Sequence, residues 1–430
     1  MHVSGSVTPP GDKSISHRAL MFAALAKGKS EISGILAGED VKSTARVLRQ
    51  LGAEITGVRD GARVTVHTSR FTPPASRLHC GNSGTTTRLL LGILAGKRIR
   101  ATLTGDASLR RRPMRRVTDP LRAMGARITE SEGGTLPASL RGGRLGAIEH
   151  VSPVASAQVK SALLLAGLTA GVAVTVREPQ ASRDHTERML RWLGEDIRRQ
   201  TTDVSQPSAV SYQPSANQIR EFSLAVPGDP SSAAFLVALA VLAEGGELRI
   251  QNVGMNPGRT GFLPVLARMG APVEVTNVRE VGPEPVADLI VKPATLRGTT
   301  IVATEVPSLV DEVPILAVLA GRAAGETVFR GVGELRVKES DRLEMIARNL
   351  RAVGVDAEAS GDDLQVRGSD APARGSVDTA KDHRLAMAFA VLGTTSGADV
   401  RLSERKSVSV SYPGFFQDVR RIGRASRHRD

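Results

Sequence analysis

Basic and small polar residues gather at the start of a short apolar segment near the beginning of the chain. Asp12 precedes Lys13, Ser14 and Arg18, and the segment continues to Gly28. Asp12 is a favourable helix N-cap, and the first turn of a helix leaves N–H groups unpaired at the positive end of its dipole. Those N–H groups and two fixed cations together predict a binding site for an anion.

The same kind of start recurs along the chain at a spacing of roughly 70 to 80 residues, which indicates repeated structural units. The further starts lie near Asn82, Ser156, Asp229, Asp311 and Asp382. Each opens a segment rich in small apolar residues, which predicts a buried helix followed by a glycine and a short β-branched strand. Carboxylates and arginines at converging helix starts could bind anionic substrates and exchange protons with them.

A second kind of helix, amphipathic and ended by glycine, is predicted between the buried ones. These segments lie at 47–53, 120–126, 189–194, 265–271 and 349–354, with a degenerate sixth at 415–423. The predicted unit is therefore strand, buried helix, strand, outer helix and strands. Six copies divide into two domains of three, because the similar stretches 10–14 and 227–231 open the two halves.

Residues 13–226 are predicted to form the N-terminal-half domain, and residues 1–12 plus 227–430 the C-terminal-half domain. The stretch Thr201 to Asn217 is rich in Ser, Thr, Gln and Pro, so we predict a mobile surface loop before the domain crossing. The basic run from Arg420 to Asp430 is predicted to be a frayed, solvated tail.

The composition narrows the classes of function. The formal net charge is +13, and many of the basic residues fall at helix starts, which favours small anionic ligands over nucleic acid or a membrane surface. Aromatic residues make up 3% of the chain, so stacking platforms for single-stranded nucleic acid are not expected. The single cysteine, Cys80, excludes an internal disulfide framework, favours the cytoplasm and is expected to be a small buried side chain.

Seven motifs carry a family resemblance, in order along nearly the whole chain. They read G-D-K-S-I-S-H-R-A-L, G-N-S-G-T, R-R-P-M, S-A-Q-V-K-S-A, S-R-D-H-T-E, R-V-K-E-S-D-R-L and D-H-R-L-A-M-A. Together they resemble the 5-enolpyruvylshikimate-3-phosphate synthase family (3-phosphoshikimate 1-carboxyvinyltransferase). The resemblance implies an α/β fold in which two inside-out barrels carry buried parallel helices inside and sheets outside. It also implies an active site in the cleft between the domains.

The resemblance implies transfer of the enolpyruvyl group of phosphoenolpyruvate to the 5-hydroxyl of shikimate 3-phosphate. This reaction belongs to the shikimate pathway and to chorismate and aromatic amino acid biosynthesis. An adduct forms first, and inorganic phosphate then leaves. The resemblance implies no cofactor and no metal, a monomer, and partners limited to the two small anionic substrates. It further implies a target of the inhibitor glyphosate, although the forms of S-A-Q-V-K-S and D-H-T-E resemble a class that glyphosate inhibits poorly.

The matching motifs imply the residues of the site. The residues expected to hold shikimate 3-phosphate are Lys13, Ser14, Arg18, Ser156, Ala157, Gln158, Ser182, Arg183, Asp311 and Lys338. Those expected to surround phosphoenolpyruvate are Lys13, Gly84, Arg112, Gln158, Glu339, Arg342 and Arg384. Asp311 resembles the general base for the 5-hydroxyl, and Glu339, together with Lys13, resembles the acid that protonates the methylene carbon.

Three positions depart from the family pattern. Val410 stands where many relatives carry a lysine, Glu334 where some carry asparagine, and His185 where a sugar contact is often made by tyrosine. Two alternatives stay open. UDP-N-acetylglucosamine enolpyruvyl transferase shares the fold, but it usually has a cysteine in the loop that here spans 106–114 without one. A nucleic-acid-binding or RNA-end-processing protein would be expected to interleave aromatic and basic residues.

Overall fold

A computed structural model describes residues 1–59, 61–200, 207–215 and 218–424 of the chain. The α-helices are α1 (Lys13–Leu25), α2 (Glu39–Gln50), α3 (Gly84–Ala95), α4 (Ala107–Arg110), α5 (Arg115–Ala123), α6 (Ala157–Ala170), α7 (His185–Trp192), α8 (Pro230–Val241), α9 (Phe262–Arg268), α10 (Val313–Ala320), α11 (Arg342–Ala352), α12 (His383–Leu392) and α13 (Phe415–Ile422). Within the described ranges, no helix has the length and apolar content needed to cross a membrane.

The strands alternate with these helices. They are β1 (His2–Val7), β2 (Lys29–Ser33), β3 (Glu54–Ile55), β4 (Val64–His67), β5 (Leu78–His79), β6 (Arg100–Thr104), β7 (Arg127–Ser131), β8 (Thr135–Arg141), β9 (Ile148–Val151), β10 (Val174–Glu178), β11 (Asp196–Arg199), β12 (Ser208–Gln213), β13 (Ser223–Ala225), β14 (Gly245–Gly254), β15 (Glu274–Val281), β16 (Glu284–Val291), β17 (Thr300–Ile301), β18 (Glu326–Phe329), β19 (Asp356–Ser360), β20 (Asp363–Arg367), β21 (Arg374–Val377), β22 (Asp399–Leu402) and β23 (Gly423–Arg424).

Side-chain caps fix the starts of most buried helices. Asp12 accepts from the Ile15 N–H at 2.8 Å, and Ser83 accepts from the Thr86 N–H at 3.1 Å. Ser156, Asp229 and Asp382 cap α6, α8 and α12 in the same way. These caps confirm the predicted starts, because short polar side chains satisfy N–H groups that the helix itself leaves unpaired. The prediction for α10 is less accurate, since it begins at Val313, two residues after Asp311.

The amphipathic helices end as the sequence predicts. Glycines follow α2, α5, α7, α9 and α11, and their φ angles lie between 87° and 108°. Only glycine adopts this left-handed region without strain, so the chain can turn there from helix to strand. These glycines are Gly52, Gly125, Gly194, Gly270 and Gly354.

The chain forms two compact units. Unit 1 consists of Met1–Pro10, Pro227–Glu280 and Pro285–Asp430, and unit 2 consists of Gly11–Val226 and Val281–Glu284. The predicted boundaries placed Gly11, Asp12 and residues 281–284 with the C-terminal half, whereas these residues group with unit 2.

The sheets of unit 2 repeat one topology. The strand orders are β13-β2-β4-β3, β5-β6-β8-β7 and β9-β10-β12-β11. In each sheet the first pair is parallel and the next two pairs are antiparallel. A parallel pair needs a crossover connection, and a buried helix supplies it in β5-α3-β6 and β9-α6-β10. The predicted repeating unit is therefore confirmed in unit 2.

Unit 1 repeats this topology less regularly. The sheet β17-β18-β20-β19 has the same pattern, and β1 pairs in parallel with β14 in a sheet of order β15-β16-β14-β1-β23. The sheet of the last repeat is the parallel pair β21-β22, and the strand β23 that follows α13 pairs with β1. The sixth outer helix, predicted in degenerate form at 415–423, is present as α13.

The buried helices pack closely within each unit. In α3, a Cβ atom on Gly92 would lie 2.1 Å from the carbonyl oxygen of Ala162 in α6, so only glycine allows this approach. In unit 1, α8, α10 and α12 pack together, and every residue of α8 is buried. Strands such as β4 alternate, with Val64 and Val66 fully buried on the face toward the helices.

Two sequence predictions about loops are wrong where the structure describes the residues. Residues 208–213 of the predicted loop form β12, because Val210 and Tyr212 are buried on one face of its sheet. Residues 201–206 and 216–217 lie outside the described part. The predicted tail is ordered through residue 424, because Ile422 is buried at the end of α13 and β23 pairs with β1. Residues 425–430 lie outside the described part.

Candidate functional site

Arg18 joins three helices of unit 2. It is 4% exposed, and its Nε donates to Thr186 Oγ1 on α7 at 2.7 Å, while its NH2 donates to Ser161 Oγ on α6 at 2.9 Å. Its NH1 donates to the Ser14 carbonyl oxygen at 3.0 Å. Burial lowers the pKa of Arg18 to about 10, and the charge of Glu187 opposes that effect. Arg18 therefore keeps its positive charge at neutral pH.

Lys13 lies one turn before Arg18 on α1. Its ammonium group is 3.4 Å from the Asp40 carboxylate at the start of α2. Asp40 thus holds the lysine side chain in one direction while leaving it partly exposed. The sequence did not predict this ion pair.

His17, between these two cations, is fully buried. Its Nδ1 shares a hydrogen bond of 2.6 Å with Thr44 Oγ1, which in turn bonds to Thr86 Oγ1 at 2.6 Å. Burial, and then the nearby charge of Lys13, lower the pKa of His17 to about 3. It is therefore a neutral packing residue that ties α1 to α2 and α3.

A second group surrounds the start of α3. Gln158 on α6 donates from Nε2 to Thr85 Oγ1 at 3.0 Å and accepts from Arg88 NH1. Arg112 donates from NH2 to Asn82 Oδ1 at 2.6 Å. A Cβ atom on Gly84 would lie 3.1 Å from Arg88 NH1 and 3.4 Å from Arg112 NH1. The structure therefore brings Gly84, Arg112 and Gln158 together.

Ser156 and Ser182 meet at one buried carboxylate. Glu178 accepts from the Ser156 N–H at 2.7 Å and from the Ser182 hydroxyl at 2.8 and 2.9 Å. Ala157 is the first residue of α6, directly after its cap Ser156. Arg183 follows Ser182 and lies close enough to Arg18 to contribute to lowering the pKa of that guanidinium.

In unit 1, carboxylates surround the buried Arg342 at the start of α11. Its Nε and NH2 donate to the two oxygens of Asp382 at 2.7 and 3.2 Å. The same NH2 donates to Glu339 at 2.6 Å, and NH1 donates to Asp311 at 3.4 Å. Burial alone would lower the pKa of Arg342, but the charges of Asp382 and Glu339 outweigh it and raise that pKa.

Asp311 also contacts Arg384 of α12. Arg384 NH1 donates to the Asp311 carbonyl oxygen at 2.9 Å, and its NH2 lies 3.6 Å from the Asp311 carboxylate. The neighbouring Glu312 accepts from Ser231 at the start of α8. Hence the first turns of α8, α10 and α12 meet at Asp311 and Glu312. The predicted residues Asp311, Glu339, Arg342 and Arg384 form one cluster.

The remaining positions singled out in the sequence have different surroundings. Lys338 contacts Glu334 in an exposed ion pair, and the departure from the family pattern at Glu334 thereby occupies this lysine. His185 is buried, with Nδ1 2.7 Å from Glu284. Val410 ends the 3₁₀ turn Lys406–Val410 and offers no cation.

Several contacts around the predicted residues were missed from the sequence. Arg88 could have been found, because it lies four residues after Gly84 and so on the same face of α3. Asp40, Glu178 and Asp382 hold predicted residues from distant parts of the chain. For Asp40 and Glu178, no local pattern in the sequence indicates such long-range partners.

Comparisons with known proteins agree with these features. A sequence profile described as EPSP synthase (3-phosphoshikimate 1-carboxyvinyltransferase) matches residues 1–419. A 3-phosphoshikimate 1-carboxyvinyltransferase from Gloeobacter violaceus is 49% identical over 98% of this chain and 96% of that protein. One from Halorhodospira halophila is 48% identical over 97% of this chain and 94% of that protein.

Solved structures give the same result. The structure of EPSP synthase from Acinetobacter baumannii superposes with a TM-score of 0.86 at 40% identity, covering 98% of this chain and 96% of that one. The enolpyruvyl transferase NikO from Streptomyces tendae has a TM-score of 0.76 at 19% identity over 98% and 95% of the chains, which bears on the fold alone. The predicted α/β enolpyruvyl transferase fold is confirmed, and the chain belongs to the EPSP synthase (3-phosphoshikimate 1-carboxyvinyltransferase) family.

Proposed function

We propose that this chain transfers the enolpyruvyl group of phosphoenolpyruvate to the 5-hydroxyl of shikimate 3-phosphate and releases inorganic phosphate. Membership of the family supports this reaction, which is a step of the shikimate pathway. The single observation that carries the assignment of roles is the pair of carboxylates, Asp311 and Glu339, on the guanidinium of the buried Arg342. Two carboxylates held by one cation can divide base and acid work between them.

Unit 2 is proposed to supply cations for both substrates. The buried Arg18, with Lys13, Ser14, Ser156, Ala157, Gln158, Ser182 and Arg183, would hold shikimate 3-phosphate. Arg112 and Gln158 beside Gly84, together with Lys13, would hold phosphoenolpyruvate. Guanidinium groups bind carboxylate and phosphate through two parallel hydrogen bonds, and the positive ends of the helix dipoles at the starts of α1, α3 and α6 favour negative charge.

Unit 1 is proposed to supply the acid–base groups and further arginines. Asp311 would accept the proton of the 5-hydroxyl as its oxygen attacks C2 of phosphoenolpyruvate. Glu339, with Lys13, would deliver a proton to the methylene carbon C3, which gives a tetrahedral adduct. Glu339 would then take a proton back from C3 as the C2–O bond to phosphate breaks, and the departing phosphate would take the proton held by Asp311. The products are the enol ether and inorganic phosphate.

Arg342 gives this proposal a specific order of events. Its hydrogen-bond donors face Asp382, Glu339 and Asp311 in the structure. An incoming carboxylate or phosphate would replace Glu339 on NH2, because Asp382 keeps Nε and the other N–H of NH2 in a forked contact. The displaced Glu339 would then be able to exchange a proton with the substrate carbon.

The further expectations extend the same proposal. Asp311 and Lys338 would also contact shikimate 3-phosphate, and Arg384 would contact phosphoenolpyruvate. Glyphosate would compete with phosphoenolpyruvate. The protein would act as a monomer in the cytoplasm, with no nucleic-acid or membrane partner. Light scattering on the purified protein tests the monomer, and a salt-dependent gel shift tests for nucleic-acid binding.

The test of the reaction is phosphate release measured with each substrate omitted in turn. Phosphate should appear only when phosphoenolpyruvate and shikimate 3-phosphate are both present, and the enol ether should form in equal amount. UDP-N-acetylglucosamine replaces shikimate 3-phosphate as the control acceptor. Phosphate release with the nucleotide sugar and none with shikimate 3-phosphate would contradict the proposal.

A further inference from the structure

Lys160 of α6 is a fully buried ammonium group that the proposed reaction does not use. Its Nζ lies 2.9 Å from Glu178, 2.9 Å from Glu187 and donates to the Ser182 carbonyl oxygen at 3.3 Å. A lysine ammonium has three hydrogens, so these three acceptors satisfy it. Burial disfavours the charge, but the nearby charges of Glu187 and Glu178 outweigh burial and raise the pKa of Lys160.

Glu178 connects this buried group to the predicted site. One oxygen accepts from the Ser156 N–H, and both accept from the Ser182 hydroxyl. Lys160 holds the same carboxylate from the interior side and also binds the Ser182 carbonyl oxygen. The position of both serines therefore depends on where Lys160 keeps Glu178.

Glu187 has a different role on the same ammonium. It lies on α7 next to Thr186, which accepts from Arg18. In the described part of the chain, no hydrogen bond joins Glu187 to Ser156 or Ser182. Lys160, in the S-A-Q-V-K-S motif of α6, therefore contacts two carboxylates with different roles. Glu178 anchors the two serines, whereas Glu187 belongs to the D-H-T-E motif of α7 and anchors neither.

We propose that Lys160 is a positioning residue for the phosphate group of shikimate 3-phosphate, acting through Glu178 on Ser156 and Ser182. This inference rests on the proposed function of those serines. Lys160 fixes Glu178 and offsets its negative charge, which would otherwise repel the bound phosphate. It touches no substrate atom, so its effect should fall on shikimate 3-phosphate binding and not on the chemical step.

The experiment compares three full-length variants by calorimetry with shikimate 3-phosphate. Lys160→Met keeps the apolar stem but leaves two buried carboxylates, and affinity should fall at least about tenfold, roughly the value of one charge-assisted hydrogen bond. Two double variants then carry equal net charge in the cluster. Lys160→Met with Glu187→Gln keeps the anchor Glu178, whereas Lys160→Met with Glu178→Gln loses it.

The charge-matched pair decides between positioning and simple charge. The double variant that keeps Glu178 should recover affinity to within about threefold of the parent, since hydrogen bonds from Ser156 and Ser182 favour its ionised form. The variant without Glu178 should stay at least about tenfold weaker. In all three, kcat at saturating substrate and the KM for phosphoenolpyruvate should change by less than about threefold.

Equal affinities of the two double variants would overturn the proposal, because Lys160 would then act only through charge or stability. Unchanged affinity in Lys160→Met would overturn it as well. If that single variant does not fold, the doubles carry the test, because each buries one carboxylate fewer. Failure of the proposed function is distinguishable, since the parent protein would then neither bind shikimate 3-phosphate nor release phosphate.

Discussion

At Gly84, a single added methyl group should lower the affinity for phosphoenolpyruvate without lowering the stability of the fold. In Gly84→Ala, the new Cβ atom would lie 3.1 Å from Arg88 NH1 and 3.4 Å from Arg112 NH1. Both atoms are the ends of flexible side chains, so they can move by a few tenths of an ångström without disturbing the backbone. Gly84 begins α3, where alanine is a better helix former than glycine by roughly 0.5–1 kcal/mol.

The magnitude follows from the contact that Arg112 is proposed to make. A charge-assisted, forked contact contributes about 1.5 to 3 kcal/mol, and a displaced guanidinium should lose part of it, about 1 kcal/mol. The KM for phosphoenolpyruvate should therefore rise about fivefold. We propose that glyphosate fills the same space more completely, so its binding should be weakened by a larger factor. The ratio of its inhibition constant to that KM should therefore rise.

Steady-state kinetics with glyphosate and thermal unfolding of the same samples provide the assay. Gly143→Ala is the matched control, because no atom lies within 4 Å of its Cβ position and its φ is not left-handed. The control should leave KM and inhibition unchanged. The reasoning is refuted if Gly84→Ala leaves the inhibitor ratio unchanged, or if affinity falls only in step with a lower melting temperature.

Three further predictions concern single side chains. In calorimetry, Arg112→Ala should lower the affinity for phosphoenolpyruvate by about 10-fold or more and the affinity for shikimate 3-phosphate little. The same change at the exposed neighbour, Arg111→Ala, should alter neither affinity. Equal loss of affinity for both ligands would place Arg112 outside the phosphoenolpyruvate site. Glu334→Gln should remove the exposed ion pair of Lys338 and raise the affinity for shikimate 3-phosphate about two- to fivefold. Unchanged affinity would show that Lys338 does not reach that ligand. Burial lowers the pKa of His17 to about 3 from its ordinary 6.5, so between these pH values the unfolded chain binds a proton that the folded chain does not. The free energy of unfolding should therefore fall as the pH drops below 6.5, by up to about 1.4 kcal/mol per pH unit. Measured by urea unfolding at pH 7 and 5, this loss of stability should be smaller in His17→Gln than in the parent, and unchanged in His2→Gln. Equal losses in the parent and both variants would contradict the assignment to His17.

The helices could be predicted well because their ends are set by local chemistry. Asp12, Ser83 and Ser156 cap the helices that follow them, and glycines such as Gly52 end the amphipathic ones. Each signal needs only neighbouring residues, so a single sequence contains it. The predicted start of α10 was less accurate, because the Asp311 carboxylate contacts Arg342 and Arg384 instead of capping that helix.

The strand β12 could not be predicted, because its neighbours decide its structure. The stretch around Val210 and Tyr212 is polar in composition, and only pairing with β10 and β11 shows that these two side chains are buried. The outer helix predicted at 415–423 is present as α13, but the order of its basic end was missed. Arg421 there bonds the Ser6 carbonyl oxygen on β1, which lies at the other end of the sequence.

The residues of the candidate site could be named from motifs, but their partners could not. Arg342 was expected to meet a substrate, and the structure adds that three carboxylates already occupy it. Lys160 had no expected role, although it lies inside one of the motifs. Ion-pair geometry of this kind depends on distances between segments far apart in the chain, which spacing along the sequence does not determine.

The central claim, that Asp311 is the base in a transfer between two anionic substrates, is tested most directly by Asp311→Asn. Asparagine keeps the size and can accept hydrogen bonds, but it cannot take the proton of the 5-hydroxyl. Phosphate release with both substrates should fall about 100-fold or more, while calorimetry should give shikimate 3-phosphate affinity within about threefold of the parent. Near-normal phosphate release by Asp311→Asn would contradict the account and make Glu339 the first candidate for the base.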